Sequence, residues 1–195
     1  KGTDAGSYEM GLTKDQFKNT NTNFTKVTFV VTDGKLTIEK RKVTLTSADA
    51  SKEYDGTPLT SNKITVGGED GFVGDEGVTY TVTGAQTEVG SSDNSFTYIA
   101  NDKTNLEKNY EITKKEGTLT VTKNNTQEVT VYITGHTGSK MYNGSEQSVT
   151  GYDVTTGNGL YTTNDFEFKG TAKAAGTDAG DYAMGLKESD FTNTS

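Results

Sequence analysis

Apolar residues recur at every second position along this chain, as in Val27, Phe29 and Val31, in Leu36 and Ile38, and in Val43 and Leu45. The same period returns in Val78, Tyr80 and Val82, in Leu119 and Val121, and in Val129, Val131 and Ile133. Successive side chains of a strand point to opposite faces, so this alternation predicts half-buried β-strands; no stripe at the helical period competes with it. Threonine fills many of the intervening outward positions, where a β-branched side chain suits a pleated sheet. Asp33-Gly34, Asp55-Gly56 and Asn143-Gly144 punctuate the runs with residues that tolerate the positive φ of tight turns. Only residues 12–17 and 186–191 suggest a helical turn, the first with Thr13 as its cap. Short strands with frequent turns predict an all-β fold: tandem small immunoglobulin-like β-sandwich modules in an elongated array, with β-grasp-like modules as the alternative.

Self-comparison divides the chain further. Residues 2–21 align without a gap on residues 176–195, with 12 of 20 positions identical at a spacing of 174. Inside that period, Ser51-Lys52-Glu53-Tyr54-Asp55-Gly56-Thr57 echoes Ser139-Lys140-Met141-Tyr142-Asn143-Gly144-Ser145 at a spacing of 88. Gly34-Lys35-Leu36-Thr37-Ile38 echoes Gly117-Thr118-Leu119-Thr120-Val121 at a spacing of 83. One echo marks an opening turn and the other a closing strand. In order, they make residues 42–123 a complete module, A; residues 124–195 the opening part of a related module, B; and residues 1–41 the closing part of an earlier B.

The landmarks resemble the MBG and YDG-type repeat modules of bacterial surface adhesins, especially large cell-surface proteins of Gram-positive gut bacteria. In module A the resemblance rests on Val43-Thr44-Leu45, the Tyr54-Asp55-Gly56 turn, Tyr80-Thr81-Val82-Thr83-Gly84, Asn109-Tyr110-Glu111-Ile112 and the closing Gly117-Thr118-Leu119-Thr120-Val121-Thr122. In module B it rests on Tyr142-Asn143-Gly144-Ser145, Val149-Thr150-Gly151-Tyr152-Asp153-Val154, Gly176-Thr177-Asp178-Ala179-Gly180-Asp181-Tyr182 and residues 27–33. Asn143-Gly144 replaces the usual Asp-Gly and keeps its turn chemistry. The resemblance implies an extracellular, repetitive stalk on the bacterial cell surface, anchored to the cell wall through other regions. It carries over no catalytic residue and no ligand pocket.

Composition narrows the chemistry. With 27 acidic against 19 basic residues the net charge is -8, which argues against nucleic acid and anionic membrane as partners. No run of about 18 apolar residues exists for membrane insertion, and the first residues show no signal-peptide core. Cysteine is absent and His136 is the only histidine, so zinc sites built on Cys and His are excluded, while threonine occurs 36 times. His136 lies between glycines with no nucleophile-elbow string in the chain, and reads as a loop residue in preference to a hydrolase base. Glu69, Asp70, Asp75 and Glu76 offer oxygen ligands of the kind Ca2+ prefers, but without EF-hand spacing, and a solvated acidic loop is the preferred reading. Tyr8, Tyr152, Tyr161 and Tyr182 are candidates for stacking on sugars. Lys42, Lys140 and Asn109 are of the types that form isopeptide cross-links, with no triad to single them out.

The site residues expected are therefore structural. Tyr54, Asp55 and Gly56, with Tyr142, Asn143 and Gly144, anchor the module turns, with both tyrosines read as core anchors. No cofactor is expected. The expected function is a non-enzymatic stalk or spacer, the alternative being a module that binds host glycan, mucin or protein. The expected partners are neighbouring repeats, head to tail, with residues 1–41 of one copy completing residues 124–195 of the next. In the other arrangement, residues 1–41 fold back on module A.

Overall fold

Val43, Leu45 and Ser47 alternate with Thr44 and Thr46, and in a computed structural model, which describes residues 1–195, their side chains are buried while those of the threonines are half-buried. The chain divides into two compact units, residues 1–123 and 124–195. In chain order the first contains β1 (Gly6–Glu9), β2 (Lys35–Ile38), β3 (Arg41–Ser47), β4 (Ala50–Glu53), β5 (Ile64–Gly67), β6 (Val78–Val82), β7 (Gly90–Asp93) and β8 (Phe96–Ala100). A single helical turn, α1 (Leu106–Asn109), then leads into β9 (Tyr110–Lys115) and β10 (Thr118–Thr122). The second unit contains β11 (Val131–Gly135), β12 (Gln147–Thr150), β13 (Tyr152–Thr156), β14 (Phe166–Phe168), β15 (Lys173–Gly176) and β16 (Phe191–Asn193). The architecture is all-β, in several small sheets. No helix is long and apolar enough to cross a membrane.

The first unit is organised by two parallel pairings. β3 lies between β5, antiparallel, and β9, parallel, while β10 lies between β7, antiparallel, and β4, parallel. These pairings make the first and last strands of module A neighbours throughout. Ser47 Oγ, at the end of β3, donates to the Asn94 carbonyl at 2.6 Å, and Ala50, at the start of β4, lies level with Ser92 across Leu119. Residues 41–53 therefore advance in one direction as they pass from one sheet to the other, and residues 110–122 run beside them in the same sense. Arg41 enters the module at one end; Thr122 leaves it at the other.

Every buried side chain belongs to this module. Val43 and Leu45 of β3, Phe96 of β8 and Tyr110 of β9 form one cluster, with Ile64, Phe72, Val78, Val82, Tyr98, Leu106 and Ile112 packed around it. Leu119 and Val121 are fully buried beneath β10. Where the strands change sheets, their freed backbone groups meet a small polar belt. Gly117 N–H donates to Ser47 Oγ at 2.9 Å, and Asn94 Nδ2 donates to the carbonyls of Ala48 and Ser61, each at 2.9 Å. These bonds offset the cost of burying polar groups, although Asn94 Oδ1 has no partner.

The second unit repeats part of this plan. Leu45↔Val66 and Ser47↔Ile64 of β3–β5 recur 88 residues on as Ile133↔Val154 and Gly135↔Tyr152 of β11–β13. It has no buried side chain. Its aromatic cluster sets Tyr152, Phe168 and Phe191 at centroid separations of 4.8 to 5.5 Å. The β1–β2 ladder likewise reproduces β7–β10, with Gly90↔Val121 recurring as Gly6↔Ile38.

One sequence expectation needs correction. Residues 27–33 form no strand, although Val27, Phe29 and Val31 alternate, because no neighbouring strand pairs with them. Strand periodicity specifies a face to bury, and the ladder still requires a partner. The two expected helical turns are present, as 3-10 turns at Lys14–Gln16 and Glu188–Asp190, related by the same spacing of 174.

Candidate functional site

Asp55 and Asn143 build the same turn from equivalent atoms. Thr57 N–H donates to Asp55 Oδ1 at 2.9 Å and Ser145 N–H donates to Asn143 Oδ1 at 3.0 Å. Gly56 and Gly144 follow with φ of +76° and +75°, a left-handed conformation that side chains disfavour. Lys52 Nζ adds a donor at 2.6 Å to Asp55, so the ammonium and the turn's own donors hold its carboxyl at a pKa of about 2. The two tyrosines before these turns differ. Tyr54 is half-buried and its N–H donates to the Thr122 carbonyl at 2.8 Å, whereas Tyr142 is 66% exposed. The difference follows β10, whose counterpart the second unit does not contain.

The other candidates are engaged in structural bonds. Tyr8 lies over Gly2 and its hydroxyl donates to the Asp4 carbonyl at 2.9 Å; Tyr182 lies over Gly176 and donates to the Asp178 carbonyl at 3.1 Å. This corner, common to both copies of the 20-residue repeat, was not anticipated from the sequence, where the spacing of Gly, Asp and Tyr was its only signal. Tyr152 packs in the aromatic cluster, and Tyr161 donates to the Asp165 carbonyl at 3.0 Å or Asn193 Oδ1 at 2.8 Å, with burial raising its pKa.

His136 follows β11. Its Nδ1 faces the Thr150 carbonyl at 2.9 Å and its Nε2 faces Asp153 Oδ1 at 3.2 Å. Two acceptors favour the doubly protonated ring, and Asp153 first, then the carbonyl, raises its pKa. Neither nitrogen is left to take a proton from a nucleophile.

The acidic loop disperses its carboxylates. Asp75 pairs with Lys103 at 2.6 Å, Glu69 with Lys42 at 3.9 Å, Asp70 accepts from the Lys42 N–H at 2.9 Å, and Glu76 accepts from Tyr110. No three His, Cys, Asp or Glu side chains stand together as a metal-binding group. Lys140 Nζ donates to the Ser148 carbonyl at 3.0 Å, and Asn109 holds Asp4 and the Ala5 N–H.

Two strands have fewer neighbours than their counterparts. β3 has two neighbours, while its counterpart β11 has only β13. β10 has two neighbours, while its counterpart β2 has only β1. The segment around the Asn143 turn, residues 138–141, is in no strand, whereas its counterpart in module A is β4.

The family model for the MBG domain matches residues 129–193. That segment is an MBG-type module. It runs from two residues ahead of β11 to the last residue of β16 and includes the Asn143-Gly144 turn, His136 and the aromatic cluster. No curated protein and no solved structure matches the chain. Module A shares the strand pairing of the MBG-type module residue for residue along β3–β5 and β11–β13.

Proposed function

We propose that this chain is a segment of structural, non-enzymatic repeats that extend a bacterial cell-surface adhesin, outside the cell, and hold a distal binding head away from the surface. The observation that carries the reading is the parallel pairing of the first and last strands of module A, which puts entry and exit at opposite ends. A unit traversed from end to end adds its own length to an array, and the 174-residue repeat is the means of adding more. The engagement of His136 by two acceptors, and of the acidic loop by separate cations, supports a role without catalysis.

The test is X-ray scattering from chains carrying one, two and three periods. Length should grow in proportion to period number, each module adding roughly 30 to 45 Å. A radius of gyration that stays near that of one globule would overturn the stalk. Glycan arrays and mucin binding test the alternative role, and saturable binding to one ligand would replace the spacer reading with a receptor-binding one.

A further inference from the structure

We propose that Asn143-Gly144 is a site of spontaneous deamidation, whose aspartate product gives the opening turn of the MBG-type module the charge and bonding that Asp55-Gly56 gives module A. Glycine has no side chain to shield its main-chain nitrogen, so in an Asn-Gly pair that nitrogen reaches the preceding side-chain amide most readily. Gly144 N, having given its proton to hydroxide, attacks Asn143 Cγ. The Cγ–Nδ2 bond breaks, and the nitrogen leaves as ammonia with a proton from water, which restores the hydroxide. Water then opens the succinimide ring. Opening at Cγ gives aspartate, and opening at the main-chain carbonyl gives isoaspartate, whose main chain runs through Cβ and Cγ. Water is the one reagent consumed, and nothing is oxidised or reduced.

A second pair, Asn158-Gly159, lies in the same unit, and the contrast between the two locates the reactivity. Asn143 and Gly144 are exposed, whereas Asn158 is half-buried. Each side chain accepts one N–H in the same way, from Ser145 at 3.0 Å to Asn143 Oδ1 and from Leu160 at 2.8 Å to Asn158 Oδ1. The difference lies in the main chain. Ring closure turns the Asn-Gly peptide plane about the Cα–C bond, and the asparagine carbonyl turns with it. The Asn158 carbonyl accepts from the Tyr161 N–H at 3.2 Å and from Thr156 Oγ1 at 3.0 Å, a proton that Thr156 shares with the Tyr161 carbonyl. No protein donor reaches the Asn143 carbonyl. Exposure belongs to the turn itself, since the Asp55 side chain is 54% exposed in module A.

The product inherits a partner from the repeat. Lys140 stands where Lys52 stands in module A, three residues ahead of the turn residue, and Ser145 stands where Thr57 does. Lys52 Nζ donates to Asp55 Oδ1 at 2.6 Å, and the Thr57 hydroxyl donates to the same oxygen at 2.8 Å. Lys140 Nζ instead donates to the Ser148 carbonyl at 3.0 Å. A carboxylate at position 143 attracts that ammonium more strongly than a neutral amide oxygen does. Deamidation therefore adds a negative charge and draws Lys140 onto the turn.

Peptide mapping by mass spectrometry, on the whole chain held for weeks at mildly alkaline pH, tests the site. In the folded chain Asn143 should be lost at least about tenfold faster than Asn158, because closure at Asn158 must first break two hydrogen bonds. In urea the two rates should converge to within about threefold. Isoaspartate should appear in step with the loss at Asn143. An Asn143 that stays intact, or is lost no faster than Asn158 in the folded chain, would overturn the proposal. So would a rate ratio in urea as large as in the folded chain, which would trace the difference to sequence neighbours. Asn143→Asp reads the product: its carboxyl should titrate below the ordinary carboxylate range, and adding Lys140→Met should move the midpoint back up. A midpoint that Lys140→Met leaves in place would overturn the conversion to the module A type of turn.

Discussion

Asp55 and His136 carry opposite pH signatures. The Lys52 ammonium and the Thr57 donors depress Asp55 to about 2, below its ordinary value of about 3.9. Its contribution to folding is complete above that ordinary value and is lost as pH falls toward 2. Carbon-detected titration should find a midpoint near 2 for Asp55, moving toward the ordinary value in Lys52→Met. An unchanged midpoint would remove Lys52 as the leading cause. His136 is raised, by Asp153 before the Thr150 carbonyl, so its contribution is complete below about 6.5 and fades as pH rises through the folded value. Asp153→Asn should lower the His136 midpoint measured by proton NMR. A midpoint that does not fall would assign the shift to the carbonyl alone. Both groups are exposed, so the expected readout is local titration and not a change in global melting. The turn residues were legible in the sequence because Asx-Gly chemistry acts over three or four neighbours. The acceptors of His136, Thr150 and Asp153, come from strands whose pairing the local string does not encode.

At the scale of elements, the strands with apolar alternation were legible, and those without it were not. β4, β7 and β15 are rich in alanine, serine and glycine and owe their place to a stronger neighbour. For β4 and β7 that neighbour is β10, whose Leu119 and Val121 are buried. Residues 27–33 make the converse point, since strong alternation without a partner formed no ladder. The sheet-switch level should be the least tolerant part of module A. A Cβ on Gly117 would lie 2.5 Å from the Ser47 carbonyl oxygen and 2.6 Å from Ala48 C, both backbone atoms that cannot swing away. Gly117→Ala should therefore destabilise by about 1–3 kcal/mol in urea melts. A loss under about 0.5 kcal/mol would mean the two strands separate there without strain. Phe96→Ala, which empties the centre of the core cluster, should cost about 3–5 kcal/mol.

At the scale of the whole molecule, the parallel arrangement of the first and last strands decides how module A bears load. In the stalk proposed above, module A would be pulled through its entry and exit, Arg41 and Thr122. Force applied at those points draws β3 with β4 and β9 with β10 past one another along their length. The hydrogen bonds of both parallel ladders are then loaded together and must fail together. Pulling instead across the antiparallel β6–β8 pair, from Val78 and Ala100, opens bonds one after another, because those residues face each other at the same end of the ladder. Single-molecule force spectroscopy on module A should accordingly show a markedly higher rupture force along the Arg41–Thr122 direction than across Val78–Ala100. The event along the chain axis should be a single step releasing roughly 250 Å, the extended length of about 80 residues less the folded span. Equal rupture forces in the two directions on module A would show that the parallel pairing does not govern its resistance, and would remove the mechanical basis for a load-bearing role.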